Sequence, residues 1–184
     1  MVIAMKTYIA LLRGINVGGK GILPMKELVA ILESLGCRNV KTYIQSGNAV
    51  FESSETDTPQ LAKDITAKIA KKRGFTPHVL VLDVTAFKQA VDGNPFPEAA
   101  AEPQTLHVFF LDSKPARAAL KSLAEIKSDS ERIELRGSVF YLHAPDGIGR
   151  SKLAANVERH LAARATSRNW RTVCKILEMA NEYA

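Results

Sequence analysis

Two stretches of the chain, residues 6–91 and 105–184, present the same succession of periodicities, and few folds accommodate a pattern repeated in this way. In the first, "KTYIALL" (6–12) is a short apolar run bounded by glycine, which predicts a buried strand. Pro24 suits a first helical turn, Met25, Leu28, Val29, Leu32 and Leu35 follow at helical spacing, and Gly36 ends the run. "NVKTYIQ" and "NAVFES" read as a hairpin joined at Ser46-Gly47. Leu61, Ile65 and Ile69 mark a second helix between Pro59 and Gly74. "HVLVLD" (78–83) is another strand, and a short helix over 85–91 closes the stretch. The order β-α-β-β-α-β is the split βαβ, or ferredoxin-like, motif.

The second stretch repeats the order without repeating the residues. "TLHVFFLD" (105–112) is a strand, and Pro115 opens a helix with Leu120 and Leu123 inward. "ERIELRG" and "SVFYLHA" form a hairpin across Gly137-Ser138, and Ser151 caps a helix running to about Arg164. A last helix carries Trp170, Val173, Cys174, Leu177 and Ala180 on one face, and the strand before it is weak or missing. The predicted class is α+β, two ferredoxin-like halves with mostly antiparallel sheets. The N-terminal half spans 1–93, the C-terminal half 104–184, and the Pro-, Gly- and Ala-rich stretch 94–103 is a linker.

With 46% apolar residues the chain can bury a core, which argues against disorder. No apolar run approaches the roughly 20 residues of a membrane span, and "MVIAMKTYIALLRG" lacks the basic start and cleavage site of a signal peptide. Cys37 and Cys174 lie far apart, which fits a reducing cytoplasm. His78, His107, His143 and His160 sit singly, so neither a metal site nor a cofactor is indicated. The expectation is a cytoplasmic protein with no membrane partner and an open oligomeric state.

The net charge of +6 is concentrated. Arg150, Lys152, Arg159, Arg164, Arg168, Arg171 and Lys175 face one acid, Glu158, so residues 150–175 alone carry +6 and the remainder sums to zero. A positive field of this kind attracts phosphates or nucleic acid, although solvated helix faces also carry such charges.

The stretch "RGINVGGKGILPM" (13–25) fits the GxxxxGK pattern from Gly14 onward, but Gly21 stands where a magnesium-binding Ser or Thr belongs. The helix starts near Pro24 instead of at the lysine, and the expected sheet is antiparallel, so a P-loop is rejected. A weaker site survives. Successive glycine amides can form an anion nest flanked by Arg13 and Lys20, or the glycines simply let the chain turn. In a split βαβ unit the third strand lies antiparallel to the first, so Arg13, Gly14, Asn16, Gly18, Gly19 and Lys20 approach Ser46, Gly47 and Asn48, with Gln45 at the same edge. Convergent polar loops suggest a ligand site, while Ser-Gly-Asn is also ordinary turn chemistry.

Secondary anion or nucleic-acid candidates lie in the C-terminal half. In "DGIGRSKLAANVE", Arg150, Ser151 and Lys152 open a helix, where Ser151 serves equally as its cap. In "TSRNWRTVCKILEMA", Arg168, Asn169 and Arg171 precede or begin the last helix, with Ser167 or Thr166 as its cap and Trp170 in the core.

"YIALLRGINVGGKGILPM", "TYIQSGNAVF", "RSKLAANVE" and "SRNWRTVCKILEM" together resemble the bacterial family called domain of unknown function 1697. The resemblance spans nearly the whole chain. It implies an autonomous cytoplasmic bacterial protein of α+β fold and carries over no catalytic residues.

The functional readings are therefore drawn from the residues. The first is a binding module for a phosphate-bearing small molecule or nucleotide at the glycine-rich loops. The second is RNA binding through the basic C-terminal helices and the sheet, which carries Tyr8, Tyr43 and Phe51. However, the face bearing Tyr8, Ala10 and Leu12 is apolar enough to pack against the second half instead. A protein-interaction scaffold is the third. An enzyme stays open, since no Ser–His, Cys–His or paired-carboxylate arrangement can be identified along the chain.

Overall fold

The computed structural model describes residues 4–116 and 118–183. Residues 1–3, the start of the segment read as lacking a leader, lie outside the described residues. The chain divides into two compact units, residues 1–89 with 175–184, and residues 90–174. The expected halves ran 1–93 and 104–184, whereas here the last ten residues group with the first unit. Glu182 pairs with Lys41 at 2.5 Å, and the Tyr183 hydroxyl donates to the Asn39 carbonyl. The stretch expected as a linker holds a 3-10 helix, Pro97–Ala101, with Phe96 and Ala99 buried.

The first unit runs β1 (Lys6–Arg13), α1 (Met25–Ser34), β2 (Arg38–Tyr43), β3 (Asn48–Ser53), α2 (Thr58–Arg73), β4 (His78–Asp83) and the start of α3 (Val84–Asp92). Its sheet has the order β2-β3-β1-β4, with every neighbouring pair antiparallel. Helix α1 begins directly after Pro24. Asp57 caps α2 by accepting the Gln60 amide at 2.9 Å, and Gly74 ends it at φ 74°. Glu27 on α1 pairs with Arg73 on α2, tying the two helices.

Alternate residues of the central strands explain why both parities are apolar. Tyr8, Ala10 and Leu12 of β1, Ala49 and Phe51 of β3, and Val79 and Val81 of β4 form one core with Leu28, Ile31 and Leu32 of α1 and Leu61, Ile65 and Ile69 of α2. The face expected to pack against the second half therefore packs beneath helices of its own unit. Ile9, Leu11 and Val50, of the other parity, are buried as well.

The second unit includes β5 (Leu106–Leu111), α4 (Ala119–Ala124), β6 (Arg132–Arg136), β7 (Val139–His143), α5 (Lys152–Leu161), β8 (Ala165–Asn169) and the start of α6 (Trp170–Asn181). Its sheet order, β6-β7-β5-β8, repeats that of the first, again all antiparallel. The strand expected to be weak or missing is present as β8, paired along β5 from His107–Asn169 to Leu111–Ala165. Helix α4 begins at Ala119 rather than at Pro115, with Leu123 buried and Leu120 half-buried. Helix α5 ends at Leu161, before the expected Arg164, because Ala162 turns to φ 50°. The α+β class with two ferredoxin-like halves holds.

Phe51 is fully buried, so Phe51→Ala should lower the unfolding free energy by about 3–5 kcal/mol. Urea unfolding followed by circular dichroism measures this. A loss below about 1 kcal/mol would contradict the burial of Phe51 in this core.

Candidate functional site

The end of β1 meets the start of β3, as the antiparallel register requires: Leu11 lies opposite Asn48. The Leu12 amide donates to the Gly47 carbonyl at 2.8 Å. Around this junction two loops, residues 14–24 and 44–47, form one rim.

The link between them is the Asn16 carboxamide. Its nitrogen donates to the Leu23 and Gln45 carbonyls, each at 2.8 Å, and its oxygen accepts the Leu23 amide at 2.8 Å. Asn16 itself sits at φ 53°, a left-handed conformation that Asn tolerates better than most residues. Both hydrogens of its amide are therefore spent on main chain, and Asn16 is the pin of the rim. Asn48 has a similar role. It is 1% exposed, and its amide donates to the Tyr43 carbonyl at 3.0 Å and to Ser46 Oγ at 2.9 Å.

The glycine loop is a miniature hairpin. Val17 and Lys20 exchange main-chain hydrogen bonds, and Gly18 and Gly19 at its tip have φ 57° and 73°. Two left-handed central residues are what a type I′ turn requires. The Asn16 amide donates to the Gly21 carbonyl at 3.0 Å. The amides of Asn16, Val17 and Lys20 point at carbonyls of their own loop. Arg13, Gly14 and Lys20 are exposed.

Two glycines are fixed by space as well as by φ. A Cβ on Gly21 (φ 61°) would lie 2.3 Å from the Gly14 carbonyl oxygen, and one on Gly47 (φ 80°) 2.6 Å from Leu12 Cβ. The rim also carries Val17, Ile22 and Ile44, the exposed large hydrophobics among the described residues.

The secondary candidates separate. Arg150, Ser151 and Lys152 line a cavity of about 390 Å³ with Lys127, Glu131 and Asp146, so its charge is mixed. Ser151 caps α5, accepting the Ala154 amide at 2.9 Å. Arg168 is not a solvated cation: burial pulls its pKa down to about 10, and it donates to the Ser167 carbonyl at 2.9 Å. Asn169, and not Ser167 or Thr166, caps α6, accepting the Thr172 amide at 2.9 Å. Thr166 is buried instead. Arg171 is exposed. Helix α5 runs from the β7 end of the sheet to the β8 start, so Arg150 and Lys152 lie at one end and Arg159 and Arg164 at the other. Of the sheet aromatics, Tyr8 and Phe51 are buried in the helix-side core, unavailable for stacking, while Tyr43 is half-buried.

The structure also reveals a pair that sequence reasoning missed. His160 Nδ1 lies 2.9 Å from Ser122 Oγ, although 38 residues separate them. Ser122 Oγ donates to the Ala119 carbonyl at 2.9 Å, so its proton is directed at main chain, away from the imidazole. The pair links α4 to α5. Burial pushes the Cys37 thiol up to about 11, which leaves it inert. Cys174, expected on the apolar face of α6, is exposed; Trp170, Val173, Ile176, Met179 and Ala180 are the buried apolar residues. Among the described residues no three His, Cys, Asp or Glu side chains come together to hold a metal ion.

The model of a family described as protein of unknown function (DUF1697) matches residues 5–141. A solved structure titled as a conserved bacterial protein, SP0830 from Streptococcus pneumoniae, shares the fold with a TM-score of 0.72. It is 23% identical, and the match covers 96% of this chain and 99% of that one. No curated protein matches.

Three substitutions test the rim. Asn16→Ala leaves three main-chain groups without their partner and should cost about 2–4 kcal/mol. Gly47→Ala combines strain with a clash and should cost about 2–4 kcal/mol, while Gly18→Ala, in open space, should cost only about 1 kcal/mol. Urea unfolding ranks the three, and equal losses at Gly18 and Gly47 would refute the close approach of Gly47 to Leu12.

Proposed function

Because the chain belongs to the DUF1697 family, whose description assigns no function, we propose a function from its own rim: binding of a phosphate-bearing small molecule or nucleotide. The observation that carries this reading is the Asn16 pin. It holds two loops that are distant in sequence as one rigid surface, so a ligand meets a site already formed, which reduces the ordering cost of binding.

Charge supports the same reading. Residues 13–24 and 44–47 contain Arg13 and Lys20 and no Asp or Glu. Arg13 and Lys20 would supply charge-assisted hydrogen bonds to phosphate oxygens. The Gly18–Gly19 tip adds amides that make no hydrogen bond within the described protein. Ser46 borders the junction from the other loop. The role of Asn16, Gly47 and Asn48 in this reading is to hold the surface, and that of Arg13 and Lys20 is to touch the ligand.

Thermal-shift and calorimetric titration with inorganic phosphate, nucleoside mono- and diphosphates and phosphosugars tests it. Binding should weaken about tenfold, equivalent to about 1.4 kcal/mol, in Arg13→Ala or Lys20→Ala, with unfolding of Lys20→Ala in ligand-free buffer unchanged. A flat response across the panel, or binding indifferent to both substitutions, would refute the proposal.

A further inference from the structure

The exposed aliphatic side chains of the rim fall in a defined arrangement. Val17, Ile22 and Ile44 are 70%, 50% and 51% exposed. Each adjoins a group tied by the Asn16 carboxamide: Val17 follows Asn16, Ile22 precedes Leu23 and Ile44 precedes Gln45. Hydrogen bonds of 2.8 Å thus hold together the two loops that carry all three. Ile44 is disfavoured twice, because it is exposed and because it adopts φ 50°, a genuine outlier for a β-branched residue. Strain of this kind clusters at sites that use it.

The surface is aliphatic and cationic together. Arg13, which ends β1, and Lys20, on the same loop as Val17 and Ile22, are exposed, and residues 13–24 and 44–47 carry no acid. Single-stranded nucleic acid stacks its bases on aromatic or guanidinium planes, and Val and Ile offer no such face. A second copy of the chain would set two positive rims against each other. An anionic bilayer suits both properties: its headgroup phosphates attract the cations, and its acyl boundary accepts aliphatic tips.

We propose that the rim docks on the surface of an anionic phospholipid bilayer, with Val17, Ile22 and Ile44 entering the acyl boundary and Arg13 and Lys20 meeting headgroup phosphates. The inference rests on the phosphate-binding reading above and names the source of the phosphate. The sequence-based expectation of no membrane partner concerned spanning segments. No helix among the described residues is long and apolar enough to cross a membrane, and surface docking needs none.

Co-sedimentation of the full chain with vesicles provides the test, comparing phosphatidylcholine alone with phosphatidylcholine containing phosphatidylglycerol. The protein should sediment with the anionic vesicles only, and less so as salt rises. Ile44→Asn should weaken the association about tenfold while raising Tm by about 2–4 °C, since Asn tolerates the left-handed conformation. Loss of binding together with a gain in stability excludes unfolding as the cause. Should Ile44→Asn fail to fold, Val17→Ser replaces it, with the same expected loss of binding. No association with anionic vesicles, or wild-type association by both variants, overturns the inference. Binding of inorganic phosphate or a nucleotide that is lost in Arg13→Ala, without vesicle binding, overturns the bilayer as source and leaves the phosphate reading standing. Neither kind of binding overturns both, and selective capture of single-stranded RNA or self-association through the rim overturns the bilayer.

Discussion

One carboxamide governs the end of the first sheet. Asn16 spends two donors and an acceptor on the main chain of Leu23 and Gln45, so two loops that would otherwise move independently share one geometry. The close approach of Gly47 to Leu12 and Ile15 lies across this junction and leaves no room for a Cβ, while that of Gly21 to Gly14 closes the first loop on itself. Asn48 repeats the device one step inward, closing its own turn onto Tyr43 and Ser46. Flexible glycine loops usually bind by adapting to the ligand. Here the glycines serve the opposite end, allowing left-handed turns that a carboxamide then locks.

The meeting of these loops was legible in the sequence because the order β-α-β-β-α-β with short connections leaves one ordinary arrangement, and that arrangement puts the end of β1 beside the start of β3. Capping was legible where a side chain announced it, as at Ser151. What escaped was whatever depended on non-local partners or on competition between local ones. The glycines at 14–21 suit an anion nest or a simple turn, and the hairpin bonds between Val17 and Lys20 depend on a pairing the sequence does not announce. Strand β8 is only five residues long and polar at one end, so its periodicity is weak; pairing with β5 makes it a strand. The contact of Ser122 with His160 depends on where α4 and α5 sit and has no local signature.

Charge counted along the chain says little about charge in space, for a related reason. Seven cations in 26 residues suggest a continuous basic surface. Folding distributes them: Arg150 and Lys152 lie at one end of the sheet where α5 begins, Arg159 and Arg164 at the other where it ends, and Arg168 loses much of its solvent. A field depends on separation in space, with solvent screening over about 8–10 Å, so charges adjacent in sequence need not act together. The less conspicuous cations of the first unit, Arg13 and Lys20, lie on loops that the fold does bring together.

The second unit acts as an internal control for these features. It has the same strand order and even the same junction bond, Leu111 amide to Ser138 carbonyl at 2.9 Å, matching Leu12 to Gly47 at 2.8 Å. Yet its hairpin turns across Gly137-Ser138 alone, where the first unit uses Ile44-Gln45-Ser46-Gly47. Its β5–α4 connection has no glycine hairpin. Asp112 there turns back on β8, accepting the Arg164 amide at 3.1 Å. The fold is thus complete without a longer turn, a left-handed isoleucine or exposed aliphatic tips. Each of those features costs stability, by strain or by apolar surface left in water. Packing cannot account for them, because the same architecture stands in the same chain without them. Their concentration at one rim is what directs a functional reading to the first unit.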